Sequence, residues 1–256
     1  LQQVLPNKRA SGARGRASTT PPPIKAAVSL RIPVWPATRL GEQGKPANHV
    51  LWADAANARE RNSAVVMYFQ LGDAYDKLDR TPPSKSHLRR RMCLDVIENV
   101  MEEPLYDELR TQRQLGYSVS CTTLVTNGVL GFQIAVVSCD FGPRHVIAEI
   151  RAFLRRFHKT LRTLPDAVFA AHVRSLVAIK QERDHTLHEE SENHFGEIAE
   201  QRYHFHILED EVAQLKALAH ADVLATFEAY VAERGDGRHV ATVCVCGGQH
   251  RGTRRR

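Results

Sequence analysis

Tyr117–Ser138 reads Tyr-Ser-Val-Ser-Cys-Thr-Thr-Leu-Val-Thr-Asn-Gly-Val-Leu-Gly-Phe-Gln-Ile-Ala-Val-Val-Ser. Two strand-like runs, Tyr117 to Thr126 and Val129 to Ser138, flank Asn127 and Gly128. That dipeptide is favoured in tight hairpin turns because both central positions need positive φ. In the second run Phe132, Ile134 and Val136 alternate with their neighbours, the period of a strand with one buried face. Beyond Ser138 the period changes. Val146, Ile147, Ile150, Phe153, Leu154, Phe157 and Leu161 make one apolar stripe at helical spacing. A hairpin handing over to helices sets the fold class.

Working outward, Thr163, Pro165 and Asp166 are helix-start chemistry, and Val168, Phe169, Val173, Leu176 and Val177 form the next stripe. Further helices are predicted through about 187–203, 208–217 and 220–233. The Gly235-Asp236-Gly237 turn then leads to a last strand, Val240 to Cys246. Toward the N-terminus, Ala64 to Phe69 is a β-branched and aromatic run ending near Gly72, the mark of a buried strand. Pro82 and Pro83 open a helical stretch carrying Leu94, Ile97 and Met101 on one face. A second short helix is predicted after Pro104, through Leu105, Leu109 and Gln112. Strands, then several helices, then a returning strand describe an α+β fold: a two-layer domain with a mainly antiparallel sheet packed on several helices.

The chain begins at Leu1 and its first methionine is Met67, so it reads as a fragment, a processed product or an incomplete gene model. Residues 1–62 read as a basic, Pro- and Gly-rich arm and connection, turn-rich over 36–62, with a possible edge strand at Leu30–Trp35. Residues 63–247 make the domain proper, and 248–256 a basic tail. Hydrophobic residues at 43% and charged residues at 25% suit an ordinary globular core. No apolar run approaches the roughly eighteen residues needed to cross a bilayer, so no membrane partner is expected.

The formal charge is +6, but its distribution matters more than its size. Residues 1–45 hold eight Lys or Arg against one acidic residue, and Arg251, Arg254, Arg255 and Arg256 follow the last strand. Removing both tails from the total leaves the body at −5. A nucleic-acid binder wears its basic charge on a folded face, so this pattern argues against nucleic acid as a partner.

Cys93, Cys121, Cys139, Cys244 and Cys246 are an odd set without a disulfide-framework spacing, which points to a reducing, cytoplasmic setting. Cys244, Cys246 and His250 lack the Cys-x-x-Cys pair and fourth ligand of a structural zinc site, and read as core residues. No Gly-x-Ser-x-Gly elbow is present, and Thr126–Gly131 lacks the Gly-Lys-Ser/Thr ending of a phosphate loop.

The segment Leu109-Arg110-Thr111-Gln112-Arg113-Gln114-Leu115-Gly116-Tyr117 joins a helix to the hairpin. It resembles the Leu-Arg-Thr-x-x-Gln-Leu-Gly-Tyr signature of the insulinase (pitrilysin-type, inverzincin) zinc metallopeptidase family. Other segments resemble the same family in the same order: Glu103-Pro104-Leu105-Tyr106, Ile150 to Leu154, Glu197-Ile198, Tyr203 with Phe205, and Val212 with Leu215 to Leu218. The similarity covers about residues 60–246. The family commonly has Lys-Glu where this chain has Gln112-Arg113, which puts peptide preference and local ion pairs in doubt.

The resemblance implies four related α+β domains in two halves that close around a peptide, with this chain as the fourth. Zinc is then expected in the N-terminal half on the inverted motif His-x-x-Glu-His. That motif is missing here. His185, His188 and Glu189 read His-x-x-His-Glu, and Glu192 and His194 lie on the same acidic stretch without supplying a general base. No cofactor is therefore expected in this chain. By resemblance, Tyr117 faces the scissile carbonyl and stabilises its oxyanion, Arg110 bonds a peptide carbonyl or the same oxygen, and Gly116 leaves room for the turn that aims the Tyr117 ring. The implied function is a non-catalytic C-terminal domain that closes the substrate chamber of a zinc metalloendopeptidase. Its expected partners are the N-terminal catalytic half and peptide substrates, and homo-oligomerisation stays open. The alternative is an inactive peptidase-like scaffold paired with a separate catalytic chain.

Overall fold

The computed structural model describes residues 47–74, 85–126, 128–199 and 203–251. Its elements are β1 (Ala47–Asp54), β2 (Ser63–Asp73), α1 (Lys85–Tyr106), a π-helical turn (Asp107–Gln112), β3 (Ser118–Thr126), β4 (Val129–Ser138), α2 (Pro143–Arg162), α3 (Asp166–Lys180), α4 (Leu187–Ala199), α5 (Ile207–Lys216), α6 (His220–Tyr230), β5 (His239–Cys246) and a 3₁₀ turn (Gly248–His250). The five strands form one sheet in the order β1-β5-β2-β4-β3. Only the β1–β5 pair is parallel; the other three pairings are antiparallel. The fold is α+β, with six helices and a mostly antiparallel sheet.

Alternation along the strands decides which face is covered. Val65, Met67 and Phe69 of β2, with Phe132, Ile134 and Val136 of β4, are buried, while the residues between them are half-buried. The β3–β4 hairpin pairs Thr126 with Val129, and Gly128 has φ 77°, the conformation that a tight turn asks of glycine. Asn127 lies outside the described residues.

Helix α1 is the centre of the helical layer. Met92, Cys93, Leu94, Val96, Ile97, Val100 and Met101 are all buried and give it a broad apolar face, while Arg91, Asp95, Glu98 and Glu102 lie on the opposite, polar side. A face that wide suits a helix packed against several elements at once. It touches β3 on one side and α3, α5 and α6 on others. Helix α2 adds the stripe read from the sequence: Val146, Ile150, Phe153, Leu154, Phe157 and Leu161 are buried. Phe157 meets Phe227 of α6 in a tilted pair, 5.5 Å between ring centroids.

Two local expectations are corrected. Strand β1 lies in the stretch 36–62 that reads as turn-rich, and it pairs with β5 in parallel, Leu51 opposite Val243. Its side chains are mostly exposed, so the alternation that marks a buried strand is weak there. The second correction concerns Pro104. Instead of separating two helices, it lies inside α1, which continues to Tyr106 before the π-helical turn. The edge strand expected at Leu30–Trp35, the opening at Pro82 and Pro83, and the tail from 252 onward lie outside the described residues. Among the described residues, no helix is long and apolar enough to cross a membrane.

The two ends of the described chain meet beside β2. The Gly247 N–H donates to Ser63 Oγ at 3.0 Å, and Ser63 Oγ also bonds His250 Nδ1 at 3.0 Å. Arg251 donates to the Ala55 carbonyl at 2.7 Å. Ser63 is 1% exposed, so its contact with His250 is structural and not that of an accessible nucleophile.

Candidate functional site

The segment from Leu109 to Tyr117 leaves α1 through a turn wider than an α-helix. Gln112 donates from Nε2 to Asp107 Oδ2 at 2.6 Å, five residues back, as side chains do when a π-turn aligns them. The Arg113 N–H reaches the Glu108 carbonyl at 2.9 Å, and the Leu115 N–H reaches the Leu109 carbonyl at 2.8 Å. Gln114 takes a positive φ of 49°, an uncommon conformation for a residue with a side chain. Leu109 and Leu115 are buried and anchor the segment from below. Two ion pairs tie it to α2: Glu108 with Arg156, and Arg113 with Glu149 at 3.8 Å. Gln112 and Arg113, where the family pattern differs, thus have partners of their own.

This scaffold ends in a tight approach. A Cβ on Gly116 would stand 2.1 Å from the Val137 carbonyl oxygen, so only glycine lets the chain pass β4 here. Gly116 is needed for that passage, a more local reason than room for a turn. The next residue, Tyr117, is 60% exposed although it is a large aromatic beside a buried hairpin. It precedes β3, which is an edge strand bonded only to β4 among the described strands.

Arg110 is also exposed. Its guanidinium lies 4.7 Å from the centroid of the Tyr106 ring, and Nη1 donates to the Tyr106 hydroxyl. Among the described residues no carboxylate pairs with it. Arg89, Arg113, Arg155, Arg156 and Arg162 each face an acidic partner, whereas Arg110, like Arg90, Arg144 and Arg238, lies over an aromatic ring. Its side chain is exposed, so donors not used by Tyr106 remain accessible. Tyr106 went unassigned in the sequence, although its spacing of four residues before Arg110 on one helical face was the available signal.

A second feature was not legible in the sequence. A cavity of about 390 Å³ opens between α1 and β3, lined by Arg91, Asp95, Glu98, Glu102, Thr123 and Leu176 among others. Glu98 accepts the Thr123 N–H at 2.5 Å, and burial raises its carboxyl above the usual range. Below it, Lys180 lies between two carboxylates, 3.1 Å from Asp95 and 2.8 Å from Glu211. Arg91 is 2.8 Å from the other Glu211 oxygen. Burial pushes the Asp95 carboxyl up despite Lys180. For Lys180 burial pulls downward, and the two carboxylates outweigh it to hold the ammonium above its ordinary value. These groups hold three helices together.

The histidine-rich stretch is not arranged around a metal. The Glu189 carboxylate accepts the His185 N–H at 2.8 Å and so caps the start of α4, while His185 Nε2 lies 3.3 Å from Glu182. His188, Glu192 and His194 are exposed. His204 is buried and bonds Asp210 at 2.8 Å, and His206 is exposed. Among the described residues no three His, Cys, Asp or Glu side chains gather as a metal site. All five cysteines are free thiols.

Comparison with known proteins fits this geometry. Residues 96–195 match the family model described as PQQ synthase PqqF-like, C-terminal lobe domain 4. Nardilysin of Rattus norvegicus is 30% identical over 202 residues, covering 78% of this chain and 16% of that protein. Insulin-degrading enzyme of Drosophila melanogaster is 31% identical over 189 residues, covering 74% of this chain and 18% of that protein. The crystal structure of pitrilysin superposes with a TM-score of 0.64 at 20% identity, over 80% of this chain and 20% of that one. The chain thus spans about a sixth to a fifth of the length of these relatives. With the Leu109–Tyr117 segment set in the same kind of sheet, the chain belongs to the insulinase family, as a domain of its C-terminal lobe.

Proposed function

We propose that this domain is the non-catalytic C-terminal part of an insulinase-like zinc metalloendopeptidase, closing the substrate chamber and contacting the peptide near the scissile bond. The observation that carries the reading is Tyr117, a 60% exposed aromatic held on a rigid base by Gly116 and the Val137 carbonyl. An exposed hydroxyl so placed suits a donor that waits for charge to appear. Tyr117 donates its O–H to the scissile carbonyl oxygen as negative charge builds there, a contribution of about 3 kcal/mol to the barrier. Arg110 holds a peptide carbonyl through guanidinium donors that no carboxylate occupies. Zinc is assigned to an N-terminal catalytic half, and none of the chemistry given to this chain passes through it. The five free thiols suit a reducing compartment, and the cytoplasm is the placement proposed for the whole protein.

A chimera tests the reading. Residues 47–251 replace the matching segment of the Drosophila insulin-degrading enzyme, and insulin degradation is followed. Activity that depends on Tyr117 and Arg110 is the expected result. A folded chimera whose activity is indifferent to both residues would show that the domain is a scaffold.

A further inference from the structure

We infer that Tyr106 is a positioning residue, holding the Arg110 guanidinium in the orientation in which it meets a peptide. The inference rests on the reading of Arg110 given above and adds a residue outside the Leu109–Tyr117 segment, to which no role has been given. Arg110 is a long, exposed side chain, and an unrestrained one gives up much rotamer freedom when a ligand orders it. Here the freedom is already restricted. The Tyr106 ring lies under the guanidinium with 4.7 Å between the carbon and the ring centroid, and the Tyr106 hydroxyl accepts from Nη1. The base of the clamp is rigid too, because Leu105 and Leu109, on either side of Tyr106 along the helix, are both 0% exposed.

The choice of partner matters. A carboxylate beneath Arg110 would cancel its charge and take two of its five donors in a forked pair. Arg155 and Arg156 on the neighbouring α2 each face a carboxylate, Glu233 and Glu108, through one donor. An aromatic ring attracts the cation through its quadrupole, leaves the charge in place, and its hydroxyl uses one donor. Arg110 is thus ordered and still free to bind. Tyr106 itself is 43% exposed, so the clamp sits at the surface where a peptide can reach Arg110 without displacing the core.

The test reads order and binding separately in the 256-residue chain. The Arg110 Nε–H resonance is identified by its loss in Arg110→Lys, and its fast motion is measured by ¹⁵N relaxation in the parent, Tyr106→Phe and Tyr106→Leu. The order parameter should be highest in the parent, lower in Tyr106→Phe, which keeps the ring, and below about 0.6 in Tyr106→Leu. An equally ordered Arg110 in Tyr106→Leu overturns the inference. Binding of fluorescein-labelled insulin B chain is followed by anisotropy in the same variants, in Arg110→Ala and in the double variant. Tyr106→Leu should weaken binding about two- to fivefold when Arg110 is present and add nothing in the Arg110→Ala background. Equal losses in both backgrounds would make Tyr106 a direct peptide contact and also overturn the inference. Parental binding by Arg110→Ala would sink the reading of Arg110 instead, while the relaxation data still decide whether Tyr106 orders it.

Discussion

The carbonyl oxygen of Val137 occupies the space that any side chain on Gly116 would enter, 2.1 Å from where its Cβ would stand. The obstacle is backbone in β4, so a larger residue has to move either the hairpin or the approach to Tyr117. Gly116→Ala should destabilise the domain by about 1–3 kcal/mol, the range for forced overpacking. Urea unfolding followed by circular dichroism gives the loss, and amide shifts at Tyr117 and Val137 should move most. A variant with parental stability and shifts would mean that the passage is wider than described.

Lys180 serves two buried carboxylates, and its loss leaves both short of a cation. Lys180→Met should cost about 3–5 kcal/mol, because Glu211 is 1% exposed and keeps only Arg91 nearby. The deficit should depend on pH with a defined sign. Burial already holds the Asp95 carboxyl above its ordinary range, and Lys180, more than Arg91, opposes this. A carboxyl raised in the folded state binds its proton more tightly there than in the unfolded chain, so folding gains as pH falls. The gap between parent and variant should therefore narrow from about pH 8 to about pH 5 in urea titrations. A gap that widens would assign the stability to something other than Asp95.

How much of this was legible beforehand follows from how local each signal is. The hairpin could be read because Asn127-Gly128 and the alternation of Phe132, Ile134 and Val136 lie within a dozen residues. The α2 stripe was equally plain because one helix carries it all. Strand β1 was not legible: among the described strands its one neighbour is β5, nearly two hundred residues away, and its exposed side chains have no reason to alternate. Asp95, Lys180 and Glu211 stand on three different helices, so no spacing along the chain announces them. For the candidate site, family resemblance pointed to Arg110 and Tyr117, but their exposure became visible only in the fold. An aromatic at the start of a strand is ordinarily packed, and Tyr117 is not.

Thiol chemistry gives a simpler check. Cys93, Cys121, Cys244 and Cys246 are buried, and Cys139 is half-buried. Burial pushes the Cys121 thiol up to about 12 and the Cys244 thiol up to about 11. At about pH 8 a disulfide reagent should therefore modify one thiol per chain quickly, and Cys139→Ser should remove that reaction. A thiol raised in the folded state contributes stability that is complete below its unfolded value, near 9, and is lost above it. The urea midpoint should accordingly fall on going from about pH 9 to about pH 11. Two or more fast thiols would contradict the burial of this core.

Metal content separates the halves of the proposed enzyme. Dialysed against zinc and then buffer, the 256-residue chain should retain less than one equivalent and should leave a quenched peptide substrate intact. The reason is the arrangement of His185, His188, Glu189 and His194, in which Glu189 caps a helix, the others are exposed, and no metal-holding group forms among the described residues. One tightly held zinc with chelator-sensitive hydrolysis would place a catalytic centre in this chain.

The last prediction distinguishes what Tyr117 and Arg110 do. In the chimera with insulin-degrading enzyme, Tyr117→Phe should lower the single-turnover rate by up to about a hundredfold and leave substrate affinity nearly unchanged. A hydroxyl that acts on charge present only in the transition state contributes nothing to the ground-state complex. Arg110→Ala should weaken binding as well, because a guanidinium on a peptide carbonyl acts before any bond breaks. Neither change should move the melting temperature by more than a degree or two, since both side chains are exposed and surface substitutions usually stay within about 0.5 kcal/mol. The melting curve therefore controls for misfolding, and the split between rate and affinity assigns the roles. If Tyr117→Phe cleaves insulin at the parental rate, the hydroxyl does not reach the scissile carbonyl, and the exposure of Tyr117 serves binding alone.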